Sequence, residues 1–171
     1  MSKYLVAAVY DNHSDADEAV KLLLKEGVLK RHISVLGKGE EAEKETFEDE
    51  KENEVILAWG EQGAFWGGLW GLLAGGIYAF VPGFGPILAT GHVIAALAGL
   101  IGGAATVGAL SAFAAMLVEM GIEAAEAKRY EHLLKENKLL VIVHGDDAEV
   151  ETARQILENY GRGEVKVHAE S

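Results

Sequence analysis

Residues 11–17 (DNHSDAD) place oxygen-bearing side chains at alternate positions, as a calcium-binding loop does. Such a loop needs Gly at its sixth position and Glu at its twelfth. Ala16 and Leu22 stand at these positions instead, so calcium binding is not predicted. Ser14 occupies the place of a helix N-cap and is followed by acidic residues, and the segment is better explained as the start of a helix.

His92 lies in a run of residues, 62–118, that contains no Asp, Glu, Lys or Arg. An isolated imidazole in apolar surroundings is costly and often functional. His92 is therefore a candidate to line a pore, bind a metal or meet its copies on a symmetry axis; the alternative is a solvated polar group beside a turn. Glu61 and Glu119 bracket the run. Either they converge to hold a cation or transfer protons, or they mark where the apolar segment meets water.

The remaining clusters of polar residues do not form a catalytic pattern. A predicted helix over 122–136 carries Glu131 and His132 side by side, whereas a di-iron bundle needs Glu-x-x-His pairs on facing helices. No G-x-G-x-x-G follows a strand, and neither G-x-S-x-G nor H-E-x-x-H occurs. We therefore predict no enzymatic activity and no cofactor, and the sequence leaves the identity of any metal open.

The net charge of −12 comes from the two ends of the chain, because the middle third is uncharged. An acidic chain without a basic patch is not expected to bind nucleic acid, whose phosphates attract Lys and Arg. The absence of cysteine excludes disulfides and thiolate chemistry. The apolar run at 4–10 is too short for a signal peptide, and a cytoplasmic location, with membrane association left open, is expected.

Two β-α-β units are predicted, one in residues 1–37 and one in residues 120–171, where an amphipathic helix precedes it. This order is that of an α+β, ferredoxin-like split β-α-β domain, whose helices would cover one face of a four-stranded antiparallel sheet. Between the units, residues 38–59 contain an acidic loop (38–54) and a candidate edge strand. The predicted strands are 4–10, 33–36, 139–143 and 165–168, and the predicted helices are 15–26 and one ending near Gly161.

Residues 60–119 predict a glycine-rich apolar helical hairpin that interrupts this domain. Its arms would be helices over 62–81 and 87–118, separated by a Pro-Gly-x-Gly-Pro turn. Glycines at a spacing of four allow two helices to approach closely, as in a glycine zipper. The packing residues are Gly67, Gly71, Gly75, Gly99 and Gly103, and the turn residues are Pro82, Gly83, Gly85 and Pro86.

Two settings for the hairpin remain open on the sequence. Its arms are long enough to span a bilayer, and Trp59, Trp66 and Trp70 cluster as an interfacial aromatic belt does. However, Glu61 and Glu119 flank it, and no Lys or Arg lies nearby to set a membrane orientation. Burial against copies of the same chain is the other setting, since an exposed apolar patch of this size dictates oligomerisation.

Segments 6–23, 59–76, 80–91 and 121–145 carry a family resemblance, most specifically in the PGFGP turn and in GIEAAEAKRYE. In these segments and their order the chain resembles the heat-induced or general-stress-protein-like family of bacterial and archaeal proteins. The resemblance implies an association with stress responses and supplies no catalytic residues.

The function predicted from the sequence is structural and non-enzymatic: a stress-associated protein that self-assembles through its hairpin into a homo-oligomer, shell or filament. The first alternative is a hairpin inserted in membrane lipid that anchors to or remodels the bilayer. The second is a regulatory module that senses a small ligand or metal, an analogy that rests on the fold alone.

Overall fold

The computed structural model of the protein describes residues 4–38, 76–81, 84–91, 93 and 110–169. Strands and helices alternate in the first and last parts of this range, and two strands lie between them. The strands are β1 (Tyr4–Tyr10), β2 (Ile33–Lys38), β3 (Gly76–Val81), β4 (Gly85–Gly91), β5 (Leu139–Gly145) and β6 (Glu164–Ala169). The helices are α1 (His13–Lys25), α2 (Ala112–Glu119), α3 (Ala124–Lys135) and α4 (Asp147–Tyr160), with a 3₁₀ turn at Lys30–His32.

Helix α1 begins at His13, shortly after β1 ends at Tyr10, but its N-cap residue differs from the predicted one. The side chain of Asn12 accepts a hydrogen bond from the backbone N–H of Asp15 at 2.8 Å. The prediction of Ser14 as the N-cap is therefore wrong, because the helix already includes His13. Asn and Ser are similarly good N-caps, so composition alone does not choose between them. Gly27, just after the helix, has a φ of +92°, which favours glycine.

The last helix, α4, ends next to Gly161 as predicted, and it begins with a capping box. The side chain of Asp146 accepts from the backbone N–H of Glu149 at 2.9 Å, and Glu149 accepts in return from the N–H of Asp146. This reciprocal pair is a capping box, which satisfies two of the backbone donors that a helix start leaves free. Gly161 ends the helix in the left-handed conformation, with a φ of +69°.

The strands form one sheet in which every pair is antiparallel, in the order β3-β4-β2-β5-β1-β6. The α+β class with an antiparallel sheet, predicted from the sequence, is confirmed. The two ends of the chain interleave, because β5 lies between β1 and β2 while β1 lies between β5 and β6. Neither end of the chain therefore completes the sheet alone.

The central strands of the sheet are buried on both faces, and each face carries its own apolar core. On one face, alternate residues such as Val6 and Ala8 pack with α1 and α4. On the other, Leu5 and Ala7 pack with α2 and α3. This explains why YLVAAVY and LLVIV are apolar throughout instead of alternating with polar residues. The expected helices on one face are present. The sequence did not predict that α2 and α3 cover the opposite face.

The prediction of one helix over 62–81 and another over 87–118 is wrong, because β3 and β4 occupy parts of both arms. These strands form an antiparallel hairpin that pairs with β2, with Leu36 opposite Ala89. Helix and strand cannot be told apart by periodicity where every residue is apolar. The aromatic and β-branched residues of IYAFV favour a strand, and pairing with the edge of β2 provides partners for the backbone.

Several predictions lie outside the described residues: the acidic loop from residue 39 onward, the candidate edge strand at 55–59 and most of the glycine-rich segment. The amphipathic helix predicted over 122–136 corresponds to α3.

Candidate functional site

Few of the residues singled out from the sequence fall within the described structure. Gly85 and Pro86 begin β4, and Glu119 ends α2 as an exposed side chain. The structure therefore does not test whether Glu61 and Glu119 approach each other. The predicted residues outside the described ranges are Gly67, Gly71, Gly75, Gly99, Gly103, Pro82, Gly83, His92 and Glu61.

The β3–β4 hairpin is anchored to the core through its second strand. Ile87, Leu88 and Ala89 of β4 are completely buried. The ring of Phe84, in the turn, stacks on that of Phe113 in α2 with 4.8 Å between centroids. β3 is the end of the described sheet, and its sequence, GIYAFV, contains no charged residue. The hairpin thus carries an uncharged strand to the sheet edge.

The opposite edge, β6, is charged. The guanidinium of Arg129 on α3 bonds to the carboxylates of both Glu126 and Glu164, and the ammonium of Lys166 lies 3.3 Å from Glu126. The hydrogen bond from Arg129 is the main reason that the pKa of Glu126 is lowered. Charges on an edge strand oppose pairing with another chain, so the two edges of the sheet differ in their capacity to associate.

A buried polar pair lies behind the charged edge. The hydroxyl of Tyr130 and Nε2 of His168 are 2.8 Å apart, and neither residue is more than 4% exposed. Burial is the main cause that lowers the pKa of His168 and raises that of Tyr130. Both groups are therefore held neutral, which is the state in which a buried polar pair is least costly.

A second buried hydroxyl lies at the other end of β1. The hydroxyl of Tyr10 has no hydrogen-bond partner within the described part of the chain. Burial raises its pKa, so it stays protonated. Its ring lies 6.1 Å from that of Tyr160, whose hydroxyl reaches Asp15 at 3.5 Å.

A cleft of about 250 Å³ lies between α2 and α3. Ser111, the N-cap of α2, donates its hydroxyl hydrogen bond to the carboxylate of Glu131 while accepting one from the N–H of Ala114. The ammonium of Lys135 lies 3.1 Å from the same carboxylate and 5.7 Å from the centroid of the Phe84 ring. The cleft therefore presents positive and hydroxyl groups beside the turn of the β3–β4 hairpin.

No group of three or more His, Asp or Glu side chains within the described residues is arranged to hold a metal ion. Within the same ranges, no helix combines the length and the apolar character needed to cross a bilayer.

The fold defines an α+β protein with an antiparallel sheet between two helical layers. Residues 5–79 match the family model described as the heat-induced stress protein YflT domain, which confirms the resemblance to heat-induced and general-stress-protein-like proteins found in the sequence. The match includes β1 from Leu5 onward, α1, β2 and most of β3, whereas β5, which separates β1 from β2, lies outside it. No curated protein and no solved structure matches the chain.

Sequence reasoning missed the Tyr130–His168 pair and the Ser111–Glu131 bond. The two partners of each pair are 38 and 20 residues apart in the chain, so local spacing does not connect them. The helical spacing of Ile122, Tyr130, Leu133 and Leu134 indicates that Tyr130 faces the core, and this is the one signal in the sequence for the pair.

Proposed function

We propose that the protein is a non-enzymatic, stress-associated structural protein that self-associates through its uncharged segment, residues 62–118. The match to the heat-induced stress protein YflT domain supports the association with stress. The described part of the segment that supports self-association is the β3–β4 hairpin. Cytoplasmic location and binding to copies of the same chain remain parts of this proposal.

The observation that carries the proposal is the uncharged strand β3 at the end of the described sheet. An edge strand offers unpaired backbone N–H and C=O groups to another strand, and natural proteins commonly block such pairing with charged residues or proline. β3 has neither, whereas β6 carries Glu164 and Lys166. The difference favours association through the β3 edge.

The distribution of charge supports a defined assembly instead of unlimited aggregation. All of the charged side chains lie outside residues 62–118, and the net charge is −12. Mutual repulsion between acidic domains limits how closely assembled particles approach each other.

We also propose that four of the strands form a ferredoxin-like unit. Their order is β2-β5-β1-β6, α1 connects β1 to β2, and α4 connects β5 to β6. Two β-α-β units that interleave in an antiparallel sheet are the defining arrangement of that fold, and β3–β4 would be an addition to its β2 edge.

The proposal is tested by measuring particle mass without detergent, using light scattering after size exclusion. We expect a monodisperse soluble particle many times heavier than the 18.3 kDa chain. Ile77→Lys and Tyr78→Lys each place one charge on β3, on opposite faces since strand side chains alternate. At least one should reduce the mass while preserving the circular dichroism of the folded domain.

Val167→Lys is the matched control, because it adds the same charge to the opposite edge strand at a position that is already 38% exposed. It should leave the particle mass unchanged. A wild-type monomer, or equal effects of all three substitutions, would contradict the proposal. Recovery of the protein only from alkali-washed membranes would replace it with the bilayer-inserted alternative.

A further inference from the structure

We propose that the cleft between α2 and α3 binds a small phosphate-bearing anion. This inference does not rest on self-association, since the groups that form the cleft belong to a single chain.

Three basic side chains line the cleft from one side. Lys128, His132 and Lys135 all belong to α3. Residues three, four and seven apart lie on the same side of a helix, which is why these groups face one space. Lys128 and Lys135 together outnumber the single carboxylate in the lining, that of Glu131. The lining thus carries one more ammonium than carboxylate, in a chain whose net charge is −12.

Lys128 differs from the other charged groups of the cleft because no described residue forms an ion pair with it. Lys135 bonds to Glu131, and His132 lies 3.2 Å from Glu136. The ammonium of Lys128 is exposed at the cleft, so it can bind an anion without giving up a partner in the described structure.

The surroundings of Glu131 show that the α2 side of the cleft can bind a negative group. The side chain of Glu131 is only 12% exposed, and its carboxylate is bound by both Ser111 and Lys135. It is therefore a negative group held by a hydroxyl donor and an ammonium at the beginning of α2. The same donor types bind phosphate oxygens in ligands, and the start of a helix favours negative charge.

The size and position of the cleft restrict the ligand. A volume of about 250 Å³ is below that of pockets for drug-sized molecules and suits a small metabolite. Lys135 contacts the ring of Phe84, which stacks on Phe113. A bound anion would therefore lie beside the contact between the hairpin turn and α2, where a shift of either element would affect its binding.

Isothermal titration of the full chain with inorganic phosphate tests the proposal, with sodium chloride used to hold the ionic strength constant. We expect saturable binding that Lys128→Gln weakens by about two- to fivefold, as expected for an exposed ion pair. Glu131→Gln should strengthen binding by a similar factor because it removes the competing carboxylate.

Lys25→Gln is the matched control, since Lys25 is an exposed lysine at the end of α1, on the other face of the sheet. It should not change the dissociation constant for phosphate. The proposal is overturned if phosphate gives no saturable binding beyond the chloride control, or if Lys25→Gln weakens binding as much as Lys128→Gln. Weakened binding in Glu131→Gln, with the fold intact by circular dichroism, would also overturn it.

Discussion

The hydroxyl of Tyr130 on α3 lies 2.8 Å from Nε2 of His168 on β6, and both side chains are buried. Their rings meet edge to face, with 5.7 Å between centroids. This pair joins the outermost strand at the charged edge to the helical layer beneath it. Each group is the hydrogen-bond partner of the other, so removing either one leaves a buried polar atom without that partner.

Tyr130→Phe is expected to lower the free energy of unfolding by about 1–3 kcal/mol, because it leaves the ring nitrogen of His168 buried without its partner. Urea unfolding at neutral pH measures the change. Tyr160→Phe is the control, since that hydroxyl is only partly buried and reaches Asp15 at 3.5 Å. An equal loss in the two variants would contradict a special contribution from the Tyr130–His168 bond.

Stability is expected to fall as the pH is lowered below the ordinary histidine pKa of 6.5. Burial, and to a lesser extent Lys166, lower the folded-state pKa of His168, while Glu126 and Glu123 oppose the shift. The unfolded chain therefore binds a proton first. The contribution of neutral His168 is complete above the unfolded-state pKa and is lost as the pH falls through the folded-state pKa.

Urea unfolding of the wild type and of His168→Gln between about pH 7.5 and pH 5 checks this dependence. The variant should show a shallower decrease. A residual decrease is expected from His13, whose pKa burial also lowers. Identical slopes for both proteins would exclude His168 as the source of the pH dependence.

Gly91→Ala is expected to detach the β3–β4 hairpin from β2. An added Cβ at Gly91 would lie 1.9 Å from the backbone oxygen of Ile33, and backbone atoms cannot move aside as a flexible side chain does. Gly27→Ala is a matched control, because Gly27 has the same φ of +92° but no atom within 4 Å of such a Cβ.

Conformational strain at a positive φ costs about 1–2 kcal/mol in both variants, and only Gly91→Ala adds the clash. Limited proteolysis should therefore cut the hairpin in Gly91→Ala and leave it protected in Gly27→Ala. Equal protection in the two variants would show that β4 is not paired closely with β2.

Asp146→Ala is expected to lower the free energy of unfolding by about 1 kcal/mol through loss of the N-cap of α4. The substitution removes the side-chain oxygen of Asp146, which accepts a hydrogen bond from the backbone N–H of Glu149 in the capping box. Asp146→Asn keeps an oxygen acceptor and should remain within a few tenths of a kcal/mol of the wild type. Thermal unfolding of both variants separates the cap from the general effect of removing a charge.

The sequence predicts the two ends of the fold well because they contain recognisable residues at which helices and strands start and end. Asp146 and Gly161 bound a helix whose apolar residues repeat at helical spacing, and the strand Tyr4–Tyr10 has the predicted bounds. Local capping and periodicity carry this information. The N-cap is Asn12 instead of the predicted Ser14. Two nearby residues with similar capping preference cannot be told apart from the sequence, and this limits the prediction of helix ends.

The middle of the chain could not be predicted in the same way. In IYAFV and ILAT no charged residue marks a face, so the glycine spacing suggested helices where the structure has β3 and β4. Whether such a segment is helix or strand depends on the free edge of β2, which is contributed by distant residues. Pairs such as Ser111–Glu131 likewise depend on how α2 and α3 pack.

The position of β1 in the sheet has a consequence for synthesis of the protein. Both of its neighbours come from the last 33 residues of the chain, since β5 begins at Leu139 and β6 at Glu164. While the chain emerges from a ribosome, the apolar β1 therefore has no native strand partner until most of the chain has been made. Pairings this distant in sequence form slowly and leave apolar surface exposed meanwhile. The nascent chain should consequently depend on chaperones until its C-terminal strands are released.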